Sequence, residues 1–249
     1  MLNQERKNRI LQIVQEQGAA SVSELTKILN ASESTIRRDL IDLSKKGIIN
    51  KVHGGATLNQ QQFISMEENV SAKQSENPEQ KKKIAAYCAA QIQGDDFVYI
   101  DAGTTTLYMI DFIPDVCTAG FVTNGISHAE NLLKKGLNVY VLGGKLKAVT
   151  EAVVGLMAAR SIHTFNFTKA FLGTNGISLT SGFTTPDSEE AFVKAAAMEK
   201  SFVSYILADS SKFGKTSSVQ FAPLDAACIV TDQQPEKAYW DQTVVKTLD

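Results

Sequence analysis

The sequence predicts an α/β protein in two parts: a small helical unit closed by a β-hairpin, then a larger unit built on a mostly parallel sheet. Three observations carry this prediction. Apolar residues recur at helical spacing through the first sixty positions. Beyond residue 77, short β-branched apolar runs alternate with helix-like stretches, the pattern of strands buried on both faces. Charge divides the chain in the same place. Residues 1–57 hold nine Lys/Arg against six Asp/Glu, and the remainder holds sixteen against twenty-one. A basic part joined to an acidic one suggests that only the first meets a polyanion. The expected boundaries are 1–58 for the small unit, 59–76 for a linker and 77–249 for the larger unit.

In order along the chain, "ERKNRILQIVQEQG" places Ile10, Ile13 and Val14 on one helical face and stops at Gly18. "SVSELTKILNA" reads as a second helix capped by Ser23, with Leu25, Ile28 and Leu29 on its packed face. In "SESTIRRDLIDLSKKG", Ser32 is the expected N-cap and Ile36, Leu40 and Leu43 form the core stripe. Lys45, Lys46 and Gly47 suit its carboxyl end. "IINKVHGGATL" then reads as two short strands about a glycine turn.

Helix, helix, turn, helix and hairpin is the order of a winged helix-turn-helix. Two arginines on a helix are ordinarily a solvated face, but here they sit on the third helix beside hydroxyls. Ser32, Ser34, Thr35, Arg37 and Arg38 are therefore the candidate DNA-contacting residues of that helix, facing base edges and phosphates. Lys51, His53, Gly54 and Gly55 are the candidates on the wing. "SVSELTKILNASESTIRRDLIDLSKKGIINKVHGGA" resembles the signature of the DeoR family of bacterial transcriptional regulators, with TIRRDL and HGGA as its specific parts. The resemblance implies that Thr35 to Leu40 lie on the recognition helix.

"NQQQFISMEENVSAKQSE" (59–76) is polar and without a sustained period, and reads as an interdomain connection. Asn77 and Pro78 then predict an N-cap and a first-turn proline for "EQKKKIAAYCAAQI", whose Lys81, Lys82 and Lys83 read as its solvated side. The predicted strands that follow are "FVYID", "AGFVT", "NVYVL", "KAFLG", "SYILA" and "ACIVT". "GFTTPDSEEAFVKAAAMEKS" reads as a helix with Thr185 as N-cap and Pro186 at its first position. Asp187, Glu189 and Glu190 complement its dipole. Phe165, Phe167 and Phe171 read as core.

Small or polar residues follow nearly every strand: Asp101, Gly103, Thr104 and Thr105; Asn124; Gly143 and Gly144; Thr174 and Asn175; Asp209, Ser210 and Lys212. Turns favour such residues anyway. Ligands nevertheless bind outside the carboxyl ends of strands in open α/β sheets. Together with "DAGTTT", a strand, a glycine turn and a hydroxyl-rich helix start, the set points to a phosphate-sized site. Lys194 reads equally as a solvated or a pocket lysine.

The DeoR resemblance continues through "DAGTTT", "VTNG", "LGGKL", "VVG", "AFLGTNGI", "GFTT" and "LADSSKFGK", and so covers most of the chain. It implies a sensor domain similar in fold to ribose-5-phosphate isomerase and coenzyme A transferases, binding phosphorylated sugars. It also implies an effector site lined by Asp101, Gly103, Thr104, Thr105, Asn124, Gly144, Asn175, Lys194 and Lys212. Thr168 departs from the family, which often carries an aspartate there. "TEAVVG", "FTTPDSEEA" and "LADSSKFG" look most like regulators of fructose or related phosphotransferase-system operons, so fructose 1-phosphate is the leading effector.

An isomerase-like enzyme with an appended DNA-binding domain is the alternative. Proton transfer between sugar carbons needs a positioned base. Asp101 and Asp209 are candidates, but "GTNG" ends its strand without a carboxylate. A sensor needs only affinity and an output, and the first unit supplies the output. The expected partners are double-stranded operator DNA, a phosphorylated sugar and a second copy of the chain, with no catalytic residue and no cofactor. Cys88, Cys117 and Cys228 are far apart and odd in number, which suits free thiols in a reducing compartment; neither they nor the three histidines show a metal-ligand spacing. The charged start and the lack of a long apolar run predict a cytoplasmic protein without a membrane span.

Overall fold

The computed structural model describes residues 3–45, 49–58 and 63–248. The chain divides into two units, Met1–Phe63 and Ile64–Asp249. The first contains α1 (Asn3–Gln17), β1 (Ala19–Ser21), α2 (Val22–Leu29), α3 (Glu33–Lys45), β2 (Ile49–Val52) and β3 (Gly55–Leu58). Ile10, Ile13 and Val14 of α1 meet Ile36, Leu40 and Leu43 of α3 in its core. An antiparallel sheet of order β1-β3-β2 closes it.

The second helix is capped two residues earlier than expected. Ser21, not Ser23, is the N-cap: its hydroxyl accepts from the Glu24 N–H at 3.1 Å, and the Glu24 carboxylate accepts from the Ser21 N–H at 2.8 Å. This reciprocal box satisfies two helix-end donors at once. The packed stripe is consequently Val22, Leu25 and Leu29, while Ile28 is exposed. The expected close of α3 at Lys46 and Gly47 lies outside the described residues.

After β4 (Phe63–Ile64) at the boundary come α4 (Val70–Ser75), α5 (Pro78–Ala89), β5 (Phe97–Ile100), α6 (Thr104–Phe112), β6 (Gly120–Thr123), α7 (Ile126–Lys134) and β7 (Asn138–Val141). Next are β8 (Lys145–Lys147), β9 (Ala152–Val154), α8 (Leu156–Ile162), β10 (Phe167–Gly173), β11 (Gly176–Ser178), β12 (Gly182–Thr185), α9 (Ser188–Glu199) and β13 (Ser201–Leu207). The chain ends with β14 (Thr216–Ser217), β15 (Val219–Ala222), β16 (Cys228–Thr231), α10 (Lys237–Trp240) and β17 (Val245–Thr247).

Seven strands form one parallel sheet in the order β17-β16-β13-β10-β5-β6-β7, which includes all six strands expected from the sequence. Alternate residues bury on opposite faces. Val98 and Ile100 pack with Ile84, Met109 and Leu132 of α5 to α7, whereas Tyr99 packs with Ala158, Ile162 and Val193 of α8 and α9. The sheet grows from β5 in both directions, so the loops after β5 and β10 diverge at a topological switch point, where α/β sheets form crevices.

Four expectations in this unit are corrected. Residues 64–76, read as part of the interdomain connection 59–76, group with this unit and carry a helix, α4. Asn77 precedes α5 in the left-handed region (φ 48°) and makes no side-chain cap; its amide donates instead to Asp209 at 3.1 Å. Lys81 is buried, since it falls on the stripe of Ile84, Ala85 and Cys88, leaving only Lys82 and Lys83 exposed. "GFTT" is strand β12, and the cap of α9 is Asp187, which accepts from the Glu189 and Glu190 N–H groups at 2.8 and 3.1 Å.

Candidate functional site

In the first unit, burying Ile36, Leu40 and Leu43 turns the opposite face of α3 outward, where Ser34, Arg37 and Arg38 are exposed. The helix is fixed by charge as well as packing. Asp39 is buried against Arg6 of α1 (Nε–Oδ2 2.5 Å, Nη2–Oδ1 3.3 Å), and Asp42 pairs with Lys7 at 2.8 Å. Ser32 caps α3, accepting from the Thr35 N–H at 3.3 Å, and its hydroxyl also meets those of Ser34 and Thr35 at 3.0 and 2.8 Å. Arg37 reaches Glu33 at 3.0 Å.

On the wing, Lys51, His53 and Gly54 are exposed, and Gly54 has φ +83°, a turn conformation that suits glycine. Gly55 is buried where β3 crosses β1; a Cβ there would lie 2.4 Å from the Ala20 carbonyl oxygen, so its role is close packing. Arg37, Lys51, His53 and Gly54 line one hollow between α3 and the wing. A guanidinium, an ammonium and an imidazole on one face suit phosphates and base edges.

In the second unit a polar hollow opens at the carboxyl ends of β5, β10 and β13. Gly103, Thr104 and Thr105 from the loop and first turn of α6, Asn175 after β10, Lys194 of α9 and Lys212 after β13 all line it. Gly103 is the N-cap of α6 and has no side-chain cap, so the positive helix end faces the hollow. Lys194 is buried, pairs with Asp101 and donates to the Gly173 carbonyl at 3.0 Å. Asp101 itself lies beneath the floor, where it also accepts from the Gly173 N–H at 3.2 Å.

Asn124 and Gly144 do not line this hollow. Asn124 is buried and braces its floor, accepting from the Ala102 N–H at 2.7 Å and donating to the Val153 carbonyl at 3.3 Å. Gly144 follows β7, the edge strand, and would bring a Cβ to 3.0 Å from both Val153 and the Val154 carbonyl. Thr168 is the second residue of β10, at the end away from the hollow, and bonds to the Phe97 backbone.

Further residues complete the wall. Lys73 of α4, Lys81 of α5, Glu190 of α9, Glu67 and Thr150 all face the hollow. Glu190 accepts from Lys147 and Thr150 at 2.9 Å each. Burial pushes the Lys73 ammonium down to about 8; Glu190 opposes this, and the charges of Lys212, Lys194 and Lys81 reinforce it. Lys81 is lowered by burial and by Lys212. Lys73 and Lys81 thus hold their protons less tightly beside the other ammonium groups of the concavity, and a bound anion would relieve that repulsion.

A second, more apolar hollow adjoins it, sharing Lys73, Gly103, Thr104 and Thr150 and adding Val70, Leu107 and His128. His128 Nε2 lies 3.1 Å from both the Gly103 carbonyl and Thr106 Oγ1, and burial lowers its pKa to about 4, so the ring is neutral at pH 7. Both candidate bases are held by donors: Asp101 by Lys194, and Asp209, which also lines the first hollow, by the Ser211 N–H (3.0 Å) and the Asn77 amide.

A winged helix-turn-helix followed by an α/β unit with a polar hollow is the architecture of a transcriptional regulator. Comparison with known proteins gives the family. Residues 6–62 match the DeoR-like helix-turn-helix domain, and residues 76–233 match the DeoR C terminal sensor domain. An uncharacterized HTH-type transcriptional regulator FruR of Bacillus subtilis is 40% identical, covering 100% of this chain and 99% of its own length. The lactose phosphotransferase system repressor of Staphylococcus aureus N315 is 30% identical over 100% of both chains. Among solved structures, ribose 5-phosphate isomerase A of Methanocaldococcus jannaschii aligns at TM-score 0.42 with 12% identity over 55% of each chain. The chain belongs to the DeoR family of transcriptional regulators, and these full-length relatives are named as regulators, not enzymes.

Proposed function

We propose that this chain is a cytoplasmic repressor of a sugar-utilisation operon, with α3 and the wing on double-stranded operator DNA and a phosphorylated sugar in the hollow of the α/β unit. The observation that carries the effector half is the set of four lysines, Lys73, Lys81, Lys194 and Lys212, turned on one hollow beside the uncapped start of α6. A dianionic phosphate suits that arrangement, with Asn175 as a further donor, while Glu190, Thr104 and Thr150 offer groups for sugar hydroxyls. Fructose 1-phosphate is the first candidate, on the resemblance to fructose-operon regulators. The name of the Staphylococcus aureus relative supports the wider reading of a sugar-operon repressor.

A homo-oligomer would present two copies of α3 to half-sites one duplex turn, about 34 Å, or a multiple of it apart. The effector then alters operator affinity by binding one arrangement of the oligomer better than another. The test is a pair of variants titrated on operator DNA with and without the sugar phosphate. Arg37→Ala is expected to lose about 1–3 kcal/mol of specific DNA affinity. Lys212→Ala is expected to bind operator as wild type does and to need more effector. Wild-type operator affinity in the first variant, or a wild-type effector response in the second, refutes the corresponding half.

A further inference from the structure

The stretch between Ile64 and α4 carries an acidic side chain in an unexpected place. The Glu67 side chain is 7% exposed and faces the hollow. Its carboxylate pairs with Lys73, and Asn175 Nδ2 donates to both of its oxygens, at 3.1 and 3.2 Å. A buried carboxylate is retained only where donors compensate its lost hydration. Here the compensating donors are a lysine and an amide of the binding hollow itself, the groups that would hold an anionic ligand.

Other ties of residues 64–76 reach the same wall. Lys81 donates to the Lys73 carbonyl, and Glu76 approaches Lys212 at 4.0 Å. Around Glu67 the neighbouring Met66 and Glu68 are exposed, so the carboxylate is the buried anchor of its stretch. This stretch follows directly on Phe63, the last residue of the DNA-binding unit.

We propose that Glu67 is a built-in competitor of the effector: its carboxylate occupies the Lys73–Asn175 seat that the ligand's anionic group takes, and ligand binding expels it, releasing the stretch that leads to the DNA-binding unit. This rests on the reading of the hollow as a sugar-phosphate site and adds how occupancy is signalled. A seat filled by Glu67 in nine unliganded molecules of ten weakens ligand affinity about tenfold, because only the open fraction binds.

The test compares wild type with Glu67→Gln and Glu67→Ala by calorimetric titration with a panel of pentose and hexose monophosphates, fructose 1-phosphate first, and with inorganic phosphate. Both variants are expected to bind the cognate sugar phosphate about tenfold more tightly. On operator DNA without ligand, they are expected to shift in the direction that the ligand shifts wild type. A purely structural Glu67 predicts instead a lower unfolding midpoint with unchanged or weaker ligand binding. That result, with wild type still binding a sugar phosphate, refutes the competitor and leaves the site standing. Binding of no panel member to any of the three proteins refutes the site itself and the competitor with it.

Discussion

The lysine cluster makes effector binding depend on pH in a way that can be calculated. Lys73 releases its proton at about 8, because it is largely withdrawn from solvent and faces Lys81, Lys194 and Lys212, with Glu190 and Glu67 as its nearby carboxylates. Its ammonium form is therefore about nine-tenths populated at pH 7 and about one-tenth at pH 9. A sugar phosphate, with a second pKa near 6, is a dianion throughout this window. If the ligand binds the ammonium form, complex formation takes up the missing proton, and affinity falls by about tenfold from pH 7 to pH 9. Lys73→Gln removes both the donor and the titration. It should bind more weakly at pH 7, by about 1.5–3 kcal/mol for a charged hydrogen bond. Its own fall to pH 9 should be shallower. Isothermal titration at pH 7, 8 and 9 in buffers of different ionisation enthalpy reads both the affinity and the proton uptake. A flat wild-type profile, or the same fall in the variant, refutes the placement of Lys73 on the ligand.

Three further outcomes follow from particular contacts. Gly55→Ala forces a methyl group to within 2.4 Å of the Ala20 carbonyl, so the first unit should lose about 1–3 kcal/mol of stability in urea unfolding, with weaker operator binding as a consequence. His128, with its pKa lowered to about 4 in the folded state, contributes fully above pH 6.5, and that contribution is lost as pH falls toward 4. The α/β unit should be about 2.5 kcal/mol less stable from this group at pH 4.5 than at pH 7, a difference that His128→Gln should lack. Asp39→Ala leaves Arg6 without its partner between α1 and α3, and should lower the unfolding midpoint of the first unit more than Glu33→Ala, which removes an exposed pair.

The legible parts of the fold were those governed by short-range periodicity. The Ile36, Leu40 and Leu43 stripe declares which side of α3 is free, and six short apolar runs declare the parallel sheet. Some misses had a signal. Ser21 and Glu24 stand at capping-box spacing, and Lys81 precedes Ile84, Ala85 and Cys88 by three, four and seven residues, which puts it on the buried stripe. Glu190 was legible as a residue favourable at a helix start, and that sufficient local reason concealed its place in the hollow. Asn124 and Gly144 show the opposite case, residues expected at the hollow that do not line it. Both follow strands, but the hollow lies over β5, β10 and β13, and β7 is two strands from β5, about 10 Å away at ordinary strand spacing. Glu67 and Lys73 had no local signal, because a contact with Asn175 more than a hundred residues away follows from the tertiary fold alone.

The central claim, that one chain couples operator DNA to a sugar phosphate, is tested most directly by fluorescence anisotropy on DNA from its own promoter region, with and without a panel of phosphorylated sugars. The account predicts specific binding above competitor DNA, with one sugar phosphate shifting the midpoint and the unphosphorylated sugar leaving it in place. Specific binding that no phosphorylated sugar shifts would contradict it.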